Sequence, residues 1–288
     1  MVRIGPAVPA RAILRRMPPP AAEARPGRAP RRPEQLLLAF VGELVLDRGL
    51  GPVPTALLVD VLAGLGVGEA ATRATLARMA RRGLLEPVRE GRAVSWVLTA
   101  ECERVLREAH GRVFAPDPFA PEGAGWTLVT FSVPERRREL RHRVRAELTW
   151  AGFGLLRDGL WIAPGEVAVP APLAALARDG LDLVAFRATE VAGFSAARSV
   201  AAAWRLDEIR ERHLAFQAEW ATPSDGDPVR AVTALVADWL ALLRAAPRLP
   251  AEHLDADWPA AASVRAFRDR HGELAGPARA ALARRLAR

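Results

Sequence analysis

Two helical periods parted by a glycine turn, and followed at once by a strand pair, constrain this chain more than any other stretch. Residues 54–98 read PTALLVDVLAGLGVGEAATRATLARMARRGLLEPVREGRAVSWVL. Pro54 to Leu65 reads as a short helix, Gly66-Val67-Gly68 as a tight turn, and Glu69 to Arg82 as a second helix stopped by Gly83. Proline at the first helical position and glycine just past the last are the expected punctuation. Leu85 and Val88, then Val94, Trp96 and Leu98, alternate on either side of Glu90-Gly91, as the strands of a hairpin do. Helix, turn, helix and hairpin in this order make a winged helix-turn-helix.

The faces of the second helix suggest what such a unit touches. Thr72, Leu76, Met79 and Ala80 recur at three- and four-residue spacing and should pack inward. Ala70, Ala74, Ala77, Arg78 and Arg81 fall on the opposite face, flanked by Arg73 and Arg82. Small residues let a helix backbone lie close to a groove floor, and arginine reaches bases or phosphates. The candidate DNA-binding residues are therefore Arg73, Thr75, Arg78, Arg81 and Arg82 on the helix, with Arg89 and Arg92 on the hairpin. The alternative is a plain helical hairpin whose arginines only solvate one face.

Charge supports this reading by its placement. The chain has 288 residues and a formal net charge of +8, with all 41 basic residues arginine. Lysine, asparagine and tyrosine are absent, which points to a GC-rich coding bias and weakens any argument from the total alone. Residues 1–32 carry 8 Arg against 1 Glu and hold nearly all the excess, whereas residues 33–100 balance at 7 against 7. Between residues 69 and 92, six arginines stand against three glutamates, and that clustering is the better signal. A single cysteine, Cys102, excludes an intramolecular disulfide framework and suits a reducing compartment. With no apolar run of membrane-spanning length and no signal-peptide core, the expectation is a cytoplasmic protein without membrane association.

In chain order, residues 1–32 are rich in proline, alanine and arginine and read as a disordered basic tail, or as a start placed too early with Met17 or later as the true one. Pro33 to Leu50 has a strong helical period and opens the winged domain, 33–114. Glu101 to Arg112 is a short helix leaving the hairpin, and the proline- and glycine-rich 115–125 is a linker. Residues 125–193 then read strand, helix, strand, strand, helix, strand. Trp126 to Val133 begins the series, Glu135 to Trp150 is its first helix, and Arg157-Asp158-Gly159 turns its hairpin. That order is a ferredoxin-like sandwich. Arginines encircle its first helix in ERRRELRHRVR, the pattern of a solvated outer face. Residues 194–288 read as a helical C-terminal domain, with helices over 201–221, 227–246, 263–272 and 277–288. The fold class is thus α+β multidomain.

Four segments carry a resemblance to a known family. They are VLTAECERVL after the hairpin, WTLVTFSVPERRRELRHRVRAELTWAGFGLLRDGLWIAP in the middle, AAAWRLDEIRERHLAFQAEW around Trp204, and RLPAEHLDADWPA around Trp258. In these the chain resembles the PaaX family of transcriptional repressors of aromatic-acid catabolism, over about residues 33 to 288. It departs at His213, where the family usually has an aromatic hydroxyl, and at Ala260, where glycine is common. The resemblance implies a homodimer on a palindromic double-stranded DNA operator, repressing a phenylacetate-type operon. It also implies release by an aryl-coenzyme A thioester such as phenylacetyl-coenzyme A, with no cofactor. Nothing in the chain points to the effector's contacts, beyond seven of eight tryptophans lying after residue 125.

The rival reading is an enzyme, because the middle domain also looks like a small metal-dependent nuclease of the same fold. That nuclease holds its metal with an aspartate at the end of the first strand, where this chain reads Phe131-Ser132-Val133-Pro134, with no carboxylate until Glu135. A hydroxyl alone does not hold a hard divalent cation. The five histidines are scattered, and no HExxH, GxSxG, P-loop or GxGxxG pattern occurs. The expectation is a regulator without catalytic or metal-binding residues; a scaffold that has lost DNA binding is a third reading.

Overall fold

A computed structural model describes residues 31–287 other than 158, 179, 194–196 and 223–225, and leaves aside the side chains of Glu135, Arg138, Trp150 and Ala171. The described residues form ten α-helices and two antiparallel sheets. They group into two compact units. One gathers the chain up to Pro116 with Leu214–Leu242 and the residues from Ala261 on; the other comprises Asp117–His213 and Leu243–Ala260. By compactness the helices after residue 193 thus divide between two units, whereas the sequence pattern keeps 194–288 together.

The first unit begins with α1 (Pro33–Leu44), which opens on proline and buries Leu36, Leu37, Phe40, Val41 and Leu44. It stops six residues short of the expected Leu50, because Asp47 and Gly49 take positive φ and leave the helical region. Strand β1 (Val53–Pro54) precedes α2 (Thr55–Ala63), so Pro54 is a strand residue and not the first of a helix. Then come α3 (Glu69–Arg81), β2 (Leu85–Glu90), β3 (Ala93–Leu98) and α4 (Ala100–Val113). The sheet order is β1-β3-β2, with Val53 opposite Trp96 and Leu85 opposite Leu98. Two residues gave too short a period for β1 to be read in advance.

Later helices complete this unit: the end of α8 (Leu206–Trp220), most of α9 (Pro228–Ala245) and α10 (Ala260–Leu286). The Trp239 indole stacks on Phe267 with ring centroids 4.6 Å apart, and its Nε1 donates to the Val113 carbonyl at 3.2 Å. Buried Glu43 on α1 accepts from Arg279 at 2.9 Å and pairs with His271 Nε2 at 3.0 Å. Burial pushes its carboxyl pKa up, but His271 and Arg279 outweigh that and hold it below the ordinary value. The basic tail expected over 1–32 lies outside the described residues except for its last two, and these are not tail-like. Arg31 donates from Nε and Nη2 to both carboxylate oxygens of Asp238 at 2.7 Å, with only 14% of its side chain exposed. Helix α10 runs through Pro277, where two shorter helices were expected. A proline there costs about 3 kcal/mol; buried Leu274, Ala275, Ala278 and Leu282 on either side hold the helix together.

The second unit runs β4 (Trp126–Ser132), a 3-10 turn (Glu135–Arg137), α5 (Arg138–Trp150), β5 (Gly154–Arg157), β6 (Leu160–Pro164), α6 (Ala171–Arg178) and β7 (Asp182–Ala188). Sheet order β5-β6-β4-β7 with antiparallel neighbours is the ferredoxin-like arrangement that the order of elements predicts. The tip of the β5-β6 hairpin, Asp158, lies outside the described residues. Alternation sends Val129, Trp161 and Ala163 to one face, under Val144 and Leu148 of α5 and Leu173 of α6. Trp126 and Ile162 go to the other, under Val200 of α7 (Ala197–Trp204) and Leu249. The helix expected over 201–221 is broken between α7 and α8 by Arg205, whose φ is +50°. His213 is fully buried edge-on against Phe119 and Trp258, and burial lowers its pKa to about 4. No helix among the described residues is long and apolar enough to cross a membrane.

Candidate nucleic-acid interface

Helix α3 is oriented by what it buries. Thr72, Leu76 and Met79 have no exposed surface, and the Thr72 hydroxyl donates to the Gly68 carbonyl at 3.2 Å at the helix start. Glu69 in the first turn and Arg78 and Arg81 in the last complement the helix dipole. The helix ends as Gly83 takes a φ of +70°, a conformation that glycine reaches without penalty. The Thr99 hydroxyl then donates to the Gly83 carbonyl at 2.7 Å and caps α4 by accepting from the Cys102 amide. Cys102 is buried there, with its thiol pushed up to about 12 by burial and then by Glu103 and Glu101, so its role is packing.

What α3 leaves outside is a row of small residues, Ala70, Ala71 and Ala74, with Arg73, Arg78 and Arg81 exposed around them. Arg73 pairs with Glu69 at 2.7 Å, both more than half exposed. Such a pair is worth only about 0.3–0.5 kcal/mol, so it yields readily to a phosphate. Arg78 donates to the Thr75 hydroxyl at 2.7 Å, and that hydroxyl donates to the Ala71 carbonyl at 2.7 Å. Thr75 itself is fully buried and leaves the contacting set. On the helix wheel it lies beside buried Met79 and Thr72, four and three residues away, which puts it on the core side, where its hydroxyl is satisfied by the turn before it. Ala71, which the sequence pattern did not single out, takes its place on the outer face.

The hairpin stands beside this helix in sequence and is fixed by its own contacts. Trp96 on β3 donates from Nε1 to the Thr55 hydroxyl at 2.9 Å, and Thr55 donates to the Val94 carbonyl at 2.6 Å. This locks the start of α2 to the hairpin. Gly91 turns the tip with a φ of +59°, and Arg89 and Arg92 are exposed there. Arg82 differs from the other five arginines of the set. It is only partly exposed and pairs with Glu34 in the first turn of α1. A rigid helix with a small-residue face, arginines around it and two more at a hairpin tip can follow a groove and neutralise the phosphates along it.

The end of β4, where the enzyme reading needs a metal-binding aspartate, carries Ser132, whose register partner on β7 is Asp182. Among the described residues, no group of three or more His, Cys, Asp or Glu side chains is placed to hold a metal ion. Arg141, one of the arginines of α5, turns back to donate to the Val133 carbonyl at 2.9 Å.

Three family models match successive parts of the chain. Residues 32–102 match "PaaX-like protein", residues 120–201 match "PaaX protein central Cas2-like domain", and residues 204–284 match "PaaX-like protein C-terminal domain". Among curated proteins, the chain is 28% identical over 131 residues to the transcriptional repressor PaaX of Escherichia coli strain K12. That match takes in 46% of this chain and only 40% of the relative's length. Among solved structures, an uncharacterised protein of Mycobacterium tuberculosis, Rv0674, superposes with a TM-score of 0.55. It is 23% identical and covers 85% of this chain and 96% of its own, a likeness of fold.

Proposed function

This chain belongs to the PaaX family, and from that premise we propose that it is a DNA-binding transcriptional repressor. In this reading α2, the turn and α3 form a helix-turn-helix with β2-β3 as its wing, and α3 lies in the major groove of an operator. The observation that carries the reading is the outer face of α3, where exposed alanines lie among Arg73, Arg78 and Arg81, followed by arginines at the hairpin tip. Arg73 and Arg78 make the main contacts of the helix, and Arg92 reaches phosphate or minor groove from the wing. The protein acts as a homodimer in the cytoplasm, its two winged domains reading half-sites of a palindrome about one helical turn apart. An edge strand, β7, with Val184 and Phe186 41% and 56% exposed, is the kind of surface that a second copy covers. The operon repressed serves aromatic-acid catabolism, and a coenzyme A thioester is the releasing effector, bound by the chain after residue 125.

The test is an electrophoretic shift of full-length protein with DNA from upstream of its own gene, with and without phenylacetyl-coenzyme A or phenylacetate. The expected result is a specific shift that the thioester abolishes and the free acid does not. Because equal affinity for both states would shift nothing, a tenfold loss of operator affinity requires a coupling of about 1.4 kcal/mol. No shift with any upstream fragment overturns the repressor reading, and release by the free acid alone overturns the choice of effector.

A further inference from the structure

The sequence pattern groups Arg82 with the other candidate DNA-binding arginines, yet its surroundings differ from theirs. It caps the C-terminus of α3, and its Nη1 donates to Oε1 of Glu34 in the first turn of α1. The two side chains are 27% and 17% exposed, against 57% for Arg73. Its other terminal nitrogen, Nη2, is buried, so the guanidinium head is turned inward. Each charge also suits its own helix: a carboxylate at the N-terminus of α1 and a cation at the C-terminus of α3 both oppose the helix dipole.

Helix α1 is in turn pinned at both ends. Just before it, Arg31 holds Asp238 of α9 by two hydrogen bonds of 2.7 Å. Near its other end, Glu43 holds His271 and Arg279 of α10 at 3.0 and 2.9 Å. What Arg82 grips is therefore a fixed member. The mechanical consequence is large, because at about 1.5 Å per residue α3, with 13 residues, is about 20 Å long. A tilt of about 10° then moves its far end by roughly 3 Å, beyond what a hydrogen bond to a base edge tolerates.

We propose that Arg82 is a positioning residue for DNA reading: through Glu34 it clamps the C-terminal end of α3 to α1, and it does not touch DNA. This rests on the repressor reading above. The clamp sets the angle at which Arg73 and Arg78 meet the bases, so it governs specificity more than overall attraction to DNA.

The experiment compares full-length parent, Arg82→Ala, Glu34→Ala and the exchanged pair Glu34→Arg/Arg82→Glu. Operator and non-specific DNA affinities are measured over a range of salt, beside thermal unfolding. Both single variants should weaken operator binding by a similar factor, roughly 3- to 30-fold, while non-specific binding and the slope of log K against log salt stay at the parent's values. The exchanged pair should recover most of the loss. Merely structural damage would instead lower the binding-competent fraction for both DNAs and the unfolding temperature together, and that outcome counts against the clamp. If Arg82 contacts a phosphate, Arg82→Ala lowers the salt slope by about 1, Glu34→Ala tightens binding by freeing the arginine, and the exchanged pair binds worst; that pattern overturns the proposal. Should the exchanged pair not fold, Glu34→Leu/Arg82→Met replaces the ion pair with an apolar contact. Parent-like operator binding by that pair supports the clamp, and loss with a lowered slope refutes it. A parent that binds no operator brings down the repressor reading itself, a result distinct from any of these.

Discussion

Helices α3 and α5 are the same length, 13 residues, and both are crowded with arginine, but their outer faces differ in kind. On α3 the exposed positions between arginines are Ala70, Ala71 and Ala74. On α5 they include Glu139, His142, Arg143 and Arg145, long side chains that stand off the helix, while Val144 and Leu148 face the sheet. Arg141 is spent on the Val133 carbonyl. Three exposed alanines leave the α3 backbone open to close approach, whereas on α5 Ala146 is the one small residue among these longer exposed side chains. In the proposed reading, what suits α3 to a groove is thus the low relief between its arginines, whereas arginine density by itself suits a solvated face as well.

The sharpest way to break that comparison is to raise the relief. Ala74→Glu places a longer, negatively charged side chain in the middle of the α3 face. Bulk and like-charge repulsion against phosphate should together cost about 3 kcal/mol or more, a hundredfold or more in operator affinity. Ala146→Glu, on an exposed position of α5, should leave the affinity where it was. Titrations of both variants against operator DNA check the pair. Equal losses would mean that α3 is not the reading element.

Next in size is the removal of a single reading arginine. Arg78→Ala or Arg73→Ala should each cost about 1–3 kcal/mol, the usual worth of a good base contact. For Arg73 the figure includes release from Glu69, an exposed i,i+4 pair worth only about 0.3–0.5 kcal/mol. A folded Arg73→Ala or Arg78→Ala protein that binds operator like the parent would remove that residue from the interface.

The contrast between the two helices was only partly legible in the sequence. Period and punctuation placed α3, the hairpin and the order of the ferredoxin-like elements, because each depends on residues close together in the chain. The glycines at 83 and 91 were read correctly for the same reason: both take the positive φ that their turns require. Thr75 was misplaced, since at about 100° per residue it borders the buried stripe, and only packing decides to which side such a residue falls. Arg82 was grouped with its neighbours because nothing near it announces Glu34, 48 residues away. Equally hidden are the pairs Arg31–Asp238 and Glu43–Arg279, which join positions more than 200 residues apart. Proline at 277 reads locally as the first residue of a separate helix, but burial of the residues around it overrides the local penalty and one helix runs through.

Smaller effects sharpen the comparison by separating attraction from reading. Arg92 at the wing tip is exposed and has only phosphates or the minor groove within reach in the proposed complex. Arg92→Ala should weaken binding about equally for operator and unrelated DNA and lower the slope of log K against log salt by about 1. A change in sequence preference instead would make the wing a base reader.

The smallest expected effect is the most telling for α5. Arg143 and Arg145 are exposed on it, and the chain carries a formal charge of +8, so a general electrostatic account would have them draw in DNA as α3 does. If low relief is what permits contact, these arginines remain in water when operator is bound. Their counterions are then not released, and counterion release is what the salt slope reports. Replacing both by alanine should leave the slope at the parent value and change operator affinity by no more than about 0.5 kcal/mol, the ordinary range for a surface substitution. The Debye length at physiological salt is about 8 Å, so measurement at that ionic strength keeps distant charge from mimicking contact. A slope reduced by nearly 1 for each arginine removed would place α5 against phosphate. Arginine density would then be the better guide to the DNA-binding surface, and the low relief of α3 would lose its special standing.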